Sequence, residues 1–150
     1  MNKGFTLIEL IITIAIIAIL SGIVLFGIIQ YVNKGKDSNV YGNLAILVPA
    51  GEVFYNRANN YENFCSSDVV TNAIGQMPDQ TSNAPCYNGT TKKAVCCYVE
   101  ATQKQSWAAC ARKFATPADY YCVDSRGVKK EVTGACSQAS LMQGSSARCP

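Results

Sequence analysis

The chain has 150 residues, with 13 Lys and Arg against 10 Asp and Glu, a formal charge of +3 and an isoelectric point near 8.4. That length holds one modest domain beside a long helix, and the balance is only mildly basic. There is no His, which excludes Ser-His-Asp and Cys-His catalysis, and there is no P-loop or dinucleotide fingerprint, so no enzyme, no catalytic residue and no cofactor is expected.

The N-terminus is a short leader, Met1-Asn2-Lys3-Gly4, followed by an apolar run from Phe5 to about Ile29. Thr6, Thr13, Ser21, Gly22, Gly27 and one acid, Glu9, interrupt it. About 25 residues at 1.5 Å each give a rod of roughly 37 Å, enough to cross a bilayer with some tilt. The run is longer than the apolar region of an ordinary secretory signal, and Ile19-Leu20-Ser21 offers no small-residue cleavage site. The better processing site precedes the run, between Gly4 and Phe5. Cutting there keeps the whole helix and creates an ammonium on Phe5, about one helical turn from Glu9. A lone carboxylate near a membrane helix terminus costs free energy, which argues for a partner that arrives later.

Lys3-Gly4-Phe5-Thr6-Leu7-Ile8-Glu9-Leu10 resembles the processing site of type IV prepilins and pseudopilins. The resemblance implies cleavage after Gly4 by a membrane aspartyl peptidase, the prepilin peptidase, with N-methylation of the new Phe5. It also implies that Glu9 assists assembly by meeting the Phe5 ammonium of a neighbouring subunit. Carboxylate and ammonium are each costly alone in hydrocarbon, and pairing offsets much of that cost. The chain departs from the type IVa pattern in one respect: no Pro occurs before Pro49. Local melting of the helix is therefore in doubt, although Ser21-Gly22 and Gly27 would soften the rod. Ala18 and Gly22, four residues apart, read as ordinary close packing.

Val40, Leu44, Leu47, Gly51, Phe54 and Ala58 recur at spacings of three and four and predict that the helix continues with one buried face. Lys34–Asn39 reads as the weak point between the halves, and Pro49 as a kink. A rod from Phe5 to about Arg57 would be about 80 Å long. Strands are expected at Ala94–Ala101, Ser106–Phe114 and Tyr120–Val123, with a short fourth at Val128–Val132. Asp124-Ser125-Arg126-Gly127 is a turn signal. The stretch from Cys65 to Thr91 reads as a loop with a short helix near Ser67–Ile74. Asn88-Gly89-Thr90 matches a glycosylation acceptor and reads better as an Asn-Gly turn. The fold class is α+β: a long N-terminal helix, transmembrane in its first half and amphipathic in its second, packed on a small antiparallel sheet. This is the lollipop layout of pilins. The expected divisions are a leader over 1–4, a membrane and filament-core helix over 5–29 and a disulfide-rich head over 30–150.

All eight cysteines fall in the head: Cys65, Cys86, Cys96, Cys97, Cys110, Cys122, Cys136 and Cys149. An even count outside the cytosol reads as a disulfide framework. With no CxxC and no His, a metal site is not expected. Cys96 and Cys97 would point to opposite faces of a strand and take different partners, with Cys110 roughly across from them. Cys65 with Cys86 would close the segment between helix and sheet. Cys136 with Cys149 would close a C-terminal loop, as a terminal disulfide does in many pilins.

The basic doublets Lys92-Lys93, Arg112-Lys113 and Lys129-Lys130 would capture DNA if they shared a face with Tyr98 or Tyr120. A solvated surface against acidic neighbours is the favoured reading. The expected role is a structural subunit, the major pilin in preference to a minor one, that polymerises with itself. It would work with the prepilin peptidase and the inner-membrane assembly machinery, passing from the cytoplasmic membrane to a surface filament. Adhesion, twitching motility and DNA uptake would be properties of that filament. The alternatives are a pseudopilin of type II secretion or competence, and a membrane-anchored, disulfide-rich binding module that never polymerises.

Overall fold

The computed structural model describes residues 4–80 and 95–150. One helix, α1, spans Leu7–Ala58, 52 residues and therefore about 78 Å. It is unbroken through Lys34–Asn39 and through Pro49. The expected weak point is absent because Asp37, inside it, is tied to the head. A short 3₁₀ turn, Phe64–Ser66, and α2, Asp68–Gln76, follow. Thus part of the expected loop after Cys65 is helical, close to the short helix read from the sequence.

Strands β1 (Val95–Val99), β2 (Trp107–Arg112), β3 (Asp119–Asp124) and β4 (Lys129–Thr133) form an antiparallel meander in the order β1-β2-β3-β4. The β3–β4 connection is the expected turn, with Gly127 at φ +79° and its N–H donating to the Asp124 carbonyl. The C-terminal segment adds a one-turn helix, α3 (Gln138–Leu141), and a small hairpin, β5 (Met142–Gln143) with β6 (Ser146–Ala147). These short pieces carry no periodicity that a sequence reading could use.

The sheet is covered on both faces. On one face, Trp107, Ala109, Ala111 and Val123 pack against Val40, Leu44 and Leu47 of α1 and against Phe64 and Val70. On the other, Cys96, Cys110, Tyr120 and Cys122 pack against Cys136, Leu141 and Cys149 of the C-terminal segment. This explains the composition of β2, Trp-Ala-Ala-Cys-Ala-Arg: with layers on both sides, alternation disappears and small residues fill both faces. Edge strand β4 is mostly exposed and carries Lys129, Lys130 and Glu131, charges that discourage pairing with another sheet.

The buried stripe of α1 follows the expected spacing at Val40, Leu44, Leu47 and Gly51, with Phe54 half-buried. Ala58, the last helical residue, is exposed instead, because the chain turns away through Asn59 in the left-handed conformation at φ 56°.

The disulfides depart from two of the expected pairings. Cys65 bonds Cys97, Cys110 bonds Cys136 and Cys122 bonds Cys149. Cys96 is also disulfide-bonded, and Cys86 lies outside the described residues, as do Asn88-Gly89-Thr90 and Lys92-Lys93. Cys97 faces the helix side, where the Phe64–Ser66 turn presents Cys65. Cys110 and Cys122 face the other side, where the C-terminal segment lies, so Cys136 and Cys149 each reach a strand rather than each other. Cys96 and Cys97 do point to opposite faces, and Cys96 stands directly opposite Cys110.

Candidate assembly site at the helix start

The candidate processing residues, Gly4 and Phe5, precede α1, and the candidate assembly residue Glu9 lies in its first turn. Thr6 is the N-cap, in extended conformation at φ −85° and ψ 149°. Its hydroxyl oxygen accepts the Glu9 N–H at 3.3 Å. In return, Glu9 Oε2 accepts the Thr6 backbone N–H at 2.9 Å and the Thr6 hydroxyl at 2.7 Å. This capping box satisfies donors at the helix start that have no intrahelical partner, and it places an acid where the helix dipole is positive. The Thr6-x-x-Glu9 spacing before an apolar run is a sequence signal for this motif, and the assembly reading of Glu9 passes over it.

Phe5 precedes the extended N-cap Thr6 and so lies just outside the helix. Gly4 and Phe5 are both exposed, Phe5 to 79%. A Cβ built on Gly4 meets nothing within 4 Å among the described residues. Packing among the described residues therefore does not require glycine at that position.

Beyond the cap the rod is bare. Every described side chain of α1 from Leu7 to Val32 is exposed, and the segment is long and apolar enough to cross a membrane. The hydroxyls within it are already used: Thr13 donates to the Leu10 carbonyl at 2.8 Å and Ser21 to the Ile17 carbonyl at 2.7 Å. Such back-bonding lets a polar side chain sit in hydrocarbon without an unpaired donor. A row of exposed Ile and Leu this long is unstable in water. Each such side chain, once covered, contributes about 1.5–3 kcal/mol.

In the two basic doublets among the described residues, the members of each doublet are split between the two faces of the sheet. Successive residues of a strand point to opposite faces, which separates Arg112 from Lys113 and Lys129 from Lys130. Arg112 Nε donates to the Pro117 carbonyl at 2.8 Å. Lys113 Nζ lies 2.6 Å from Glu131 Oε2 and 5.2 Å from the Tyr121 ring centre. The Glu131 carboxylate holds the Lys113 ammonium above its ordinary range. Tyr120 is buried and cannot stack on a nucleobase.

Residues 1–25 match the family model described as the prokaryotic N-terminal methylation motif. The type IV major pilin protein PilA of Myxococcus xanthus (strain DK1622) is 37% identical over 79 residues, which cover 53% of this chain and 33% of PilA. The match therefore spans about a third of that relative's length. No solved structure gives a significant match. The resemblance carried by residues 3–10 lies within the matched methylation motif of residues 1–25.

Proposed function

We propose that this chain, whose first 25 residues carry the prepilin signal, is a type IV pilin: a structural subunit that polymerises into a surface filament through its apolar helix. The observation that carries the reading is the division of α1. Its second half is packed on the head, while the described side chains of its first half are exposed and lie largely within the matched motif. In the precursor the bilayer covers the bare half, and in the filament other copies of the same rod replace the lipid.

In this reading residues 1–4 form the leader, 5–29 the membrane and filament-core helix and 30–150 the head. The prepilin peptidase cuts between Gly4 and Phe5 and methylates the Phe5 amine. Glu9 then pairs with the Phe5 ammonium of a neighbour. The precursor resides in the cytoplasmic membrane, and the inner-membrane assembly machinery moves the processed subunit into the filament. The engaged and opposed basic residues favour a structural surface over a DNA-binding one.

Mass spectrometry of the mature chain tests the proposal. The expected N-terminus is N-methylated Phe5; an intact Met1, or cleavage beyond residue 20, rejects the reading. Long shed fibres made chiefly of this chain are expected, whereas a short structure confined to the envelope would indicate a pseudopilin.

A further inference from the structure

We infer that the cavity where the bare rod of α1 meets the head binds the phosphate of an anionic phospholipid. The inference needs only the membrane placement in the proposed reading, not polymerisation. The cavity has a volume of about 450 Å³ and is lined by Lys34, Ser38 and Tyr41 of α1, by Lys113 and Thr116 of the β2–β3 connection and by Tyr121 of β3. Its chemistry suits an anion, with two ammonium groups and the hydroxyls of Ser38, Tyr41 and Thr116 as donors. Two carboxylates stand near, and both are engaged. Asp37, also on the wall, accepts the N–H groups of Phe114 and Ala115. Glu131 is paired with Lys113 at 2.6 Å. An ammonium carries three N–H groups, so Lys113 keeps donors for a second acceptor. Lys34 is exposed and has no ion-pair partner among the described residues.

The place of the cavity along the rod identifies the anion. Lys34 follows Ile29, where the apolar run ends, by about 7.5 Å along the helix axis. The headgroup layer beyond the hydrocarbon is about 5–8 Å thick on each side. With the apolar run in the bilayer, Lys34 therefore stands at the depth of the lipid phosphates. Tyr31, 80% exposed, stands where interfacial tyrosines concentrate. Lysines beside a membrane helix are ordinarily biased to the cytoplasmic side, whereas the head lies on the other side in the proposed reading. Topology therefore does not account for Lys34, and an anionic headgroup does. Tyr41 and Tyr121, with ring centres 5.3 Å apart, add aromatic wall against which the glycerol carbons can rest. A lipid held there fixes the height of the head on the bilayer until the subunit leaves the membrane.

The test uses the full chain in a non-ionic detergent. Short-chain phosphatidylglycerol, short-chain phosphatidylcholine or inorganic phosphate is added, and the bound molecules are counted by native mass spectrometry. Phosphatidylglycerol is expected to bind, and phosphatidylcholine, whose choline cation offsets the phosphate, to bind about fivefold more weakly. Lys34→Gln is expected to weaken phosphatidylglycerol binding about fivefold, the effect of one cation at an anionic headgroup. Glu131→Gln, which releases Lys113 from its carboxylate, is expected to tighten it. Lys130→Gln is expected to change nothing, because Lys130 stands opposite Cys122, on the face of the sheet away from α1. Equal weakening by Lys34→Gln and Lys130→Gln would reduce the effect to diffuse surface charge and overturn the inference. Equal binding of the two lipids would overturn it too. So would displacement of phosphatidylglycerol by an equal concentration of inorganic phosphate, the mark of a site for the free anion. None of these outcomes bears on the mature N-terminus or on the fibres, so the pilin reading stands or falls separately.

Discussion

The Asp37 carboxylate accepts the backbone N–H of Phe114 at 2.5 Å, and its second oxygen accepts that of Ala115 at 3.1 Å. Asp37 is only 5% exposed, so α1 and the β2–β3 connection are joined by a buried carboxylate with two backbone donors. Lys36 adds to the joint, its ammonium 5.0 Å from the Phe114 ring centre. Asp37→Ala should strip two buried N–H groups of their acceptor and cost about 2–4 kcal/mol. Urea unfolding of the full chain in detergent, followed by tryptophan emission from Trp107, measures it. An unchanged midpoint would mean that water replaces the carboxylate at no cost.

Gly51 sits where α1 crosses Trp107, which is fully buried. A Cβ there would lie 2.6 Å from Trp107 Nε1 and 3.0 Å from Cε2 and Cζ2. The indole is wedged between the helix and Phe64, whose ring centre is 4.7 Å away, so it has little room to yield. Gly51→Ala should therefore destabilise the head by about 1–3 kcal/mol, as overpacking does elsewhere. Gly42 on the same helix has nothing within 4 Å of its Cβ position, and Gly42→Ala should stabilise by about 0.5–1 kcal/mol. Opposite signs in the two thermal midpoints are the expected result.

The same residues show what a sequence reading reaches. Val40, Leu44 and Leu47 announce themselves by period, and β1, β3 and β4 by branched and aromatic residues, because both patterns are local consequences of burial. Asp37 gives no such sign. It looks like one more charge in a polar stretch, and only the tertiary contact 77 residues away makes it a tie. Cys65 and Cys97 fail for a related reason: strand alternation tells which face a cysteine takes, but not which segment covers that face. The candidate site at Gly4, Phe5 and Glu9 is read from an octet of residues that falls within the matched motif. The Thr6 box is legible too, through its spacing, but a reading concerned with the fate of the Glu9 charge passes over its role in the helix start.

The C-terminal segment depends on cross-links more than on secondary structure. Cys110–Cys136 and Cys122–Cys149 close separations of 26 and 27 residues. The loop-closure argument assigns each about 3–4 kcal/mol. Cys122–Cys149 has a second role, since the Cys149 N–H donates to Asp124 Oδ2 at 3.0 Å and Asp124 is fully buried. Replacing Cys122 and Cys149 together with Ala should lower stability by about 3 kcal/mol and open the segment after Leu141 to chymotrypsin. Replacing Cys65 and Cys97 should leave that segment resistant, because their bond lies on the opposite face of the sheet. Equal proteolysis of the two variants would contradict the layered arrangement.

Glu100 controls the loop between β1 and β2. Its Oε1 accepts the N–H of Gln103 and of Thr102, each at 2.6 Å, and Oε2 accepts that of Gln105 at 3.3 Å. These backbone donors, Gln103 first, hold the carboxyl below its ordinary value of 4.5 despite the opposing effect of burial. The unfolded chain therefore binds the proton more readily than the folded one. Stability from this group is fully present above pH 4.5 and is lost as pH falls through the lowered folded value. Glu100→Gln keeps an acceptor but removes the titration. Its unfolding free energy should fall less steeply than the parent's as pH drops below 4.5, and the two curves should run parallel above it. The loop is the place to see the change directly: amide exchange at Thr102 and Gln103 should quicken in the parent on acidification and stay nearly level in the variant. Parallel acid limbs in the two proteins would show that the loop holds its shape without the charge.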